Sequence, residues 1–146
     1  MTGAPTPKTS TPPPATCGPL RTVHLDLGEH NTVLAGEDRY FVFHSPEGTA
    51  LVLDRCPHRG GPLSLGAVEP GHRRLVCPWH RTRVSCAALR RRAAPAVRTG
   101  QRMTAYVPAA APSRVSVTRR RVLANDPPDP EGRRPLFDST ALEAWT

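Results

Sequence analysis

Two short motifs constrain this chain more than anything else in it. Cys56-Pro57-His58 and Cys77-Pro78-Trp79-His80 each set a thiol and an imidazole close together, and eighteen residues separate His58 from Cys77. Thiolates and imidazoles are the side chains that hold soft and borderline transition metals. A fold that uses both motifs must bring two separate loops face to face and hold them rigidly.

The spacing bears on which metal. Structural zinc also takes two cysteines and two histidines, but ligands within a pair usually stand about two to five residues apart. One residue between Cys56 and His58 is tight for a single tetrahedral ion. It is natural where the two side chains address different metals of one cluster. A [2Fe–2S] centre in which two histidines replace two cysteines on one iron takes this ligand set. Zinc, or a degenerate site that has lost its metal, are the alternatives. The run Gly60-Gly61-Pro62 suits a loop that wraps closely around inorganic sulfide, because glycine lets the backbone approach.

In the stretch CPHRGGPLSLG…CPWH the chain resembles the Rieske iron–sulfur family. The resemblance covers about residues 20–118. It implies that Cys56 and Cys77 hold one iron of a Rieske-type [2Fe–2S] cluster, one cluster per chain, and that His58 and His80 hold the other iron at an exposed tip. High-potential members of the family carry an additional cysteine in each loop, and the pair forms a disulfide. Here Gly60 or Gly61 and Trp79 stand in those places, so neither loop can supply a bridge. Cys17 and Cys86 remain, expected as thiols in an intracellular setting, with a disulfide between them as the alternative.

The chain departs from the family's pattern in three places. A glycine usually follows the second histidine, with an aromatic residue soon after. This chain reads His80-Arg81-Thr82-Arg83-Val84. If that position needs a positive φ, Arg81 is strained there by about 1–2 kcal/mol, and Val84 is a smaller plug than an aromatic ring. The family's proline loop, which covers the cluster from a third side, has its nearest match in Ala93-Ala94-Pro95-Ala96. Trp79, lying between two expected ligands, reads as packing beneath the second loop.

Residues 22–27 alternate, with Val23, Leu25 and Leu27 on one side, and so read as a half-buried strand. Residues 40–43 and 50–54 read as two strands joined at Ser45-Pro46-Glu47-Gly48, which has proline and glycine where a turn wants them. The second strand leads directly into Cys56. Residues 62–70 read as loop; 73–76, 83–86, 103–107 and 114–118 read as further strands, and helical periodicity is scarce. The pattern predicts an all-β fold of short antiparallel strands. The resemblance implies a β-sandwich-like base with an inserted cluster-binding subdomain at about residues 56–85. Residues 1–16, nearly all Pro, Thr, Ala, Ser and Gly, read as a disordered arm. The folded domain is expected over residues 17–123, with a proline-rich tail over 124–146.

Nineteen arginines and one lysine give a formal charge of +8. Arginines gather at Arg73-Arg74, Arg81 and Arg83, Arg90-Arg91-Arg92, Arg119-Arg120-Arg121 and Arg133-Arg134. The plainest reading is a solvated surface; the functional one is a docking face for an acidic redox partner. Nucleic-acid binding is not expected, because no basic helix or aromatic series accompanies the charge. His24, His30, His44 and His72 have no partner at ligand spacing and read as surface or hydrogen-bonded histidines. Without a long apolar run or a signal-peptide pattern, no membrane association is expected and the protein is placed in the cytoplasm.

The resulting functional expectation is one-electron transfer by a soluble Rieske-type ferredoxin, carrying electrons from a flavin-dependent reductase to an oxygenase or another terminal oxidoreductase. It has no catalytic residues or substrate site of its own. The 66 residues after His80 contain no histidine, so the mononuclear iron site of Rieske oxygenases is not expected among them. The alternatives are a small subunit of a nitrite-reductase-like enzyme and a redox-sensing or protein-interaction module.

Overall fold

The computed structural model describes residues 19–71, 73–109 and 114–128. Eleven strands form three antiparallel sheets among these residues: β1 (Leu20–Asp26), β2 (Thr32–Ala35), β3 (Asp38–Ser45), β4 (Gly48–Leu53), β5 (Ala67–Val68), β6 (Arg74–Val76), β7 (Arg83–Ser85), β8 (Ala93–Ala94), β9 (Ala96–Thr99), β10 (Arg102–Pro108) and β11 (Val115–Thr118). The orders are β1-β10-β9, β11-β2-β3-β4-β8 and β5-β6-β7. The fold is all-β, as the sequence predicts. The one α-helix among the described residues, α1 (Cys86–Arg91), escapes the sequence reading. Its six residues are too few to show a period, although Ser85 caps it by accepting the Ala88 N–H.

Two-residue turns set the register. Ala35 pairs with Asp38, Ser45 with Gly48 and Thr99 with Arg102. Gly36 and Gly100 occupy the first turn position of two of these at φ 61° and 60°, where a Cβ would be strained. At the third, Pro46 and Glu47 form the corner, and Arg90 fastens it by donating to the Glu47 carboxylate and carbonyl at 2.9 and 3.1 Å.

The central sheet has a core on each face. Along β3, Tyr40 and Val42 join Val23, Leu25, Leu51, Met103 and Val107 between the two base sheets. Phe41 and Phe43 point the other way and pack with Val52, Leu63, Leu75, Val84 and Leu89 beneath the third sheet. Four consecutive buried residues, Tyr40 to Phe43, mark a strand covered on both sides. The third sheet therefore rests on the base through an apolar layer that also contains Cys56 and Cys77. Packing continues past residue 123: Ala124 is buried, and the Asn125 side chain bonds to Val42 and His44 backbone groups.

Several sequence expectations shift in detail. β2 shows no alternation because it lies between β11 and β3 and is buried on both faces. Residues 62–70, read as loop, contain a 3-10 turn at Leu63–Leu65 and β5. Residues 93–96 are not a loop over the cluster position. Ala93 and Ala94 pair with Val52 and Leu51, and Ala96 pairs with Ala105 across Pro95. Small alanines let this segment lie flat in the sheets.

Candidate metal centre

The two expected ligand loops share one backbone design. In the first, the Cys56 N–H donates to the Gly61 carbonyl and the Gly60 N–H donates to the Cys56 carbonyl, both at 2.8 Å. In the second, the Cys77 N–H donates to Thr82 at 2.9 Å and the Arg81 N–H donates to Cys77 at 3.0 Å. Each bond spans the same number of residues in both loops. Gly60 and Arg81 are therefore equivalent positions, and both have positive φ, 76° and 54°. The condition set out for strain at Arg81 is met, and it is the one non-glycine residue among those described with positive φ.

Each loop leaves a strand and is tied behind its cysteine. Asp54, buried at the end of β4, accepts from Arg39 Nε at 2.8 Å, from the Ser64 N–H at 2.8 Å and from the Ser64 hydroxyl at 2.7 Å. This clamp closes the first loop at both ends. Arg92 adds a bond of 2.9 Å to the Arg55 carbonyl beside Cys56. The second loop sits between β6 and β7, whose pairing of Val76 with Arg83 closes its base.

The four expected ligand side chains come together as two pairs. Cys56 and Cys77 are buried, 3% and 1% exposed, in the same apolar cluster. His58 and His80 are exposed, and their rings meet edge to face with centroids 5.2 Å apart and planes at 78°. Burial pushes the Cys77 thiol pKa up and the neighbouring Cys56 adds to this; backbone N–H groups of Trp79 and His80 directed at the sulfur pull it back down. Such N–H groups favour a thiolate and tune any metal it holds.

Gly61 shows how closely the loops approach. A Cβ there would lie 2.7 Å from Cys77 Sγ and 3.2 Å from Trp79 Cγ. This cradle and the donor chemistry, a dry thiol pair behind a wet imidazole pair, fit a cluster whose two metals differ in ligands and exposure. Among the described residues no three His, Cys, Asp or Glu side chains gather on a single point.

Trp79 is 52% exposed. It covers Gly61 from outside instead of packing beneath the loop, because the buried side of the loop is taken by Cys77 and Val84. Val84, at 3% exposure, fills its position in the lower core. The remaining described histidines have polar neighbours: Thr104 for His24, the Asp26 N–H for His30 and Thr49 for His44. His72, Cys17 with its pairing to Cys86, and Arg133-Arg134 lie outside the described residues; Cys86 itself is buried at the start of α1. The Asp54 clamp escaped the sequence reading. Its one visible signal was a carboxylate at the end of an apolar strand.

A three-sheet fold carrying paired Cys/His loops is the architecture of an iron–sulfur domain, and residues 20–109 match the Rieske [2Fe-2S] domain family. The chain belongs to that family, whose cofactor is a Rieske-type [2Fe–2S] cluster and whose chemistry is electron transfer. It is similar, at 44% identity over 50 residues, to the vanillate O-demethylase oxygenase subunit of Pseudomonas sp. (strain HR199 / DSM 7063), covering 34% of this chain and 14% of that one. A second such subunit, from Pseudomonas sp. (strain ATCC 19151), is 49% identical over 37 residues, covering 25% and 11%. A Rieske domain-containing protein of Homo sapiens is 42% identical over 53 residues, 34% of each chain. The chain thus spans about a third or less of the length of these curated relatives. No solved structure matches it. No helix among the described residues is long and apolar enough to cross a membrane.

Proposed function

We propose that this chain is a Rieske-type ferredoxin component passing single electrons from a reductase to an oxygenase or another terminal oxidoreductase, with Cys56, Cys77, His58 and His80 as its cluster ligands. The observation that carries the reading is the pairing itself, two buried thiols behind two exposed imidazoles on two identically built loops. When bound, the cluster supplies reversible one-electron chemistry at a potential set by its ligands, by N–H bonds to sulfur and by exposure. The protein's part is to hold the ligands, exclude water on the thiol side and present the imidazole side to a partner.

Exposed Arg59 and Arg81 flank the two histidines in the loops, beside exposed Trp79, while Arg55 and Arg83 nearby pair with Asp38 and Glu69. That face suits a partner with an acidic rim and an apolar contact at its centre. Likeness to oxygenase subunits favours an oxygenase as the acceptor.

Electron paramagnetic resonance of the anaerobically purified, dithionite-reduced protein tests the proposal. The expected signal is that of a reduced, histidine-ligated [2Fe–2S] centre, with reoxidation that needs an added acceptor protein. Stoichiometric zinc without iron or acid-labile sulfide overturns it.

A further inference from the structure

Away from the two loops, the run Arg119-Arg120-Arg121 after β11 walls a cavity of about 390 Å3. Arg39, Asp54, Ser64 and Thr118 also line it. Asp54 is already engaged by Arg39 and Ser64, and no second carboxylate lies among the described lining residues, which include the arginine run. Asp126 lines a neighbouring cavity of about 640 Å3 that shares the run.

The run is held in place. The Asn31 side chain accepts the Arg120 N–H at 2.8 Å and donates to its carbonyl at 2.7 Å, and Arg119 donates to the Gly28 carbonyl at 2.8 Å. Burial lowers the Arg39 guanidinium pKa, Asp54 opposes this, and the charge of nearby Arg120 lowers it further. Arg39 and Arg120 thus carry like charge at this concave site, and an anion seated between them would offset their repulsion.

We propose that this cavity binds a phosphorylated small molecule, its phosphate oxygens taken by the side chains of Arg120, Arg121 and Thr118. Guanidinium forks match phosphate oxygens in bidentate geometry. The volume lies within the range of small-ligand sites, about 300–1,000 Å3, and Leu65 and Val122 give it apolar wall for a carbon skeleton. Since Asp54 and Ser64 are shared with the clamp behind Cys56, the ligand would sit against the anchor of the first loop.

Isothermal titration of the full-length, cluster-loaded protein at constant ionic strength tests this, with inorganic phosphate and pyrophosphate as probes and citrate as comparator. The expected result is saturable one-to-one binding of pyrophosphate, tighter than that of citrate. Replacing Arg120→Gln and Arg121→Gln together, which keeps the backbone bonds to Asn31, should weaken it about tenfold or more. The control pair Arg91→Gln and Arg102→Gln removes equal charge from exposed positions outside the cavity and should change it by less than about twofold. Thr118→Val, with charge unchanged, should also weaken binding, and it decides the matter if the arginine variant fails to fold. Equal losses in the two arginine pairs, citrate binding as tightly as pyrophosphate, or no saturable binding would each overturn the proposal.

Discussion

Arg81 occupies a backbone conformation that its loop twin gives to glycine, and this allows a quantitative test. At φ 54° a Cβ costs about 1–2 kcal/mol. Glycine removes that cost but frees the unfolded chain, which returns about 0.4–1 kcal/mol against folding. Arg81→Gly should therefore exceed Arg81→Ala by about 0.5–1 kcal/mol, since both remove the same charge and only one retains a Cβ. For a domain of this size that is about 3–6 °C in the melting midpoint. Gly60→Ala is the mirror experiment. At φ 76° the new Cβ has room, 3.7 Å from Arg55 Cγ, so the cost of about 1 kcal/mol is conformational. Thermal unfolding of the four proteins, loaded with cluster to the same iron content, makes the comparison. Equal midpoints for Arg81→Gly and Arg81→Ala would refute the equivalence of the two loops.

Gly61→Ala, one residue along, should act through collision: its Cβ would lie 2.7 Å from Cys77 Sγ, and iron and sulfide content per chain should fall well below that of Gly60→Ala. Asp54→Asn breaks a buried ion pair with Arg39 and should cost about 2–4 kcal/mol in urea unfolding, with loosening of the first loop visible as faster cluster loss. Partial desolvation at the surface, and then the charge of Arg98, lower the pKa of His44 from 6.5. The folded state thus binds its proton less readily than the unfolded chain, so stability is full above about pH 6.5 and is lost as pH falls through the lower folded value. Arg98 donates to the Thr49 hydroxyl oxygen at 2.7 Å, which leaves that hydroxyl's proton for His44 Nδ1 at 3.0 Å. Unfolding followed from pH 7.5 to 5 should show this slope, and His44→Gln should flatten it. Cys77→Ala should lose the cluster altogether, and a normal visible spectrum in that variant would contradict the ligand assignment.

The two Cys/His pairs that the fold brings together were legible because metal chemistry restricts residue type and spacing locally, within a few positions. The strand pattern was legible wherever one face is wet, as in β1 and β10, since alternation follows from half-burial. β2 and α1 were not, because a strand buried on both faces does not alternate and a six-residue helix is too short to show a period. Trp79 was misjudged for a related reason: an apolar residue between ligands reads as buried, yet its exposure depends on which side chains already fill the space below. Arg81 lies between the two cases. The missing glycine was plain in the sequence, but the need for positive φ came from hydrogen bonds that close the loop.

Local chemistry alone thus determined the two Cys/His pairs, the glycine-rich approach and the antiparallel strands. Tertiary structure decided which face of β3 supports the third sheet, how Asp54 reaches Ser64 past the first loop, and that the Arg119-Arg120-Arg121 run lines a cavity beside Asp54. These are contacts between residues far apart in the chain. Their geometry depends on sheet order and packing, and no short window of sequence carries that information.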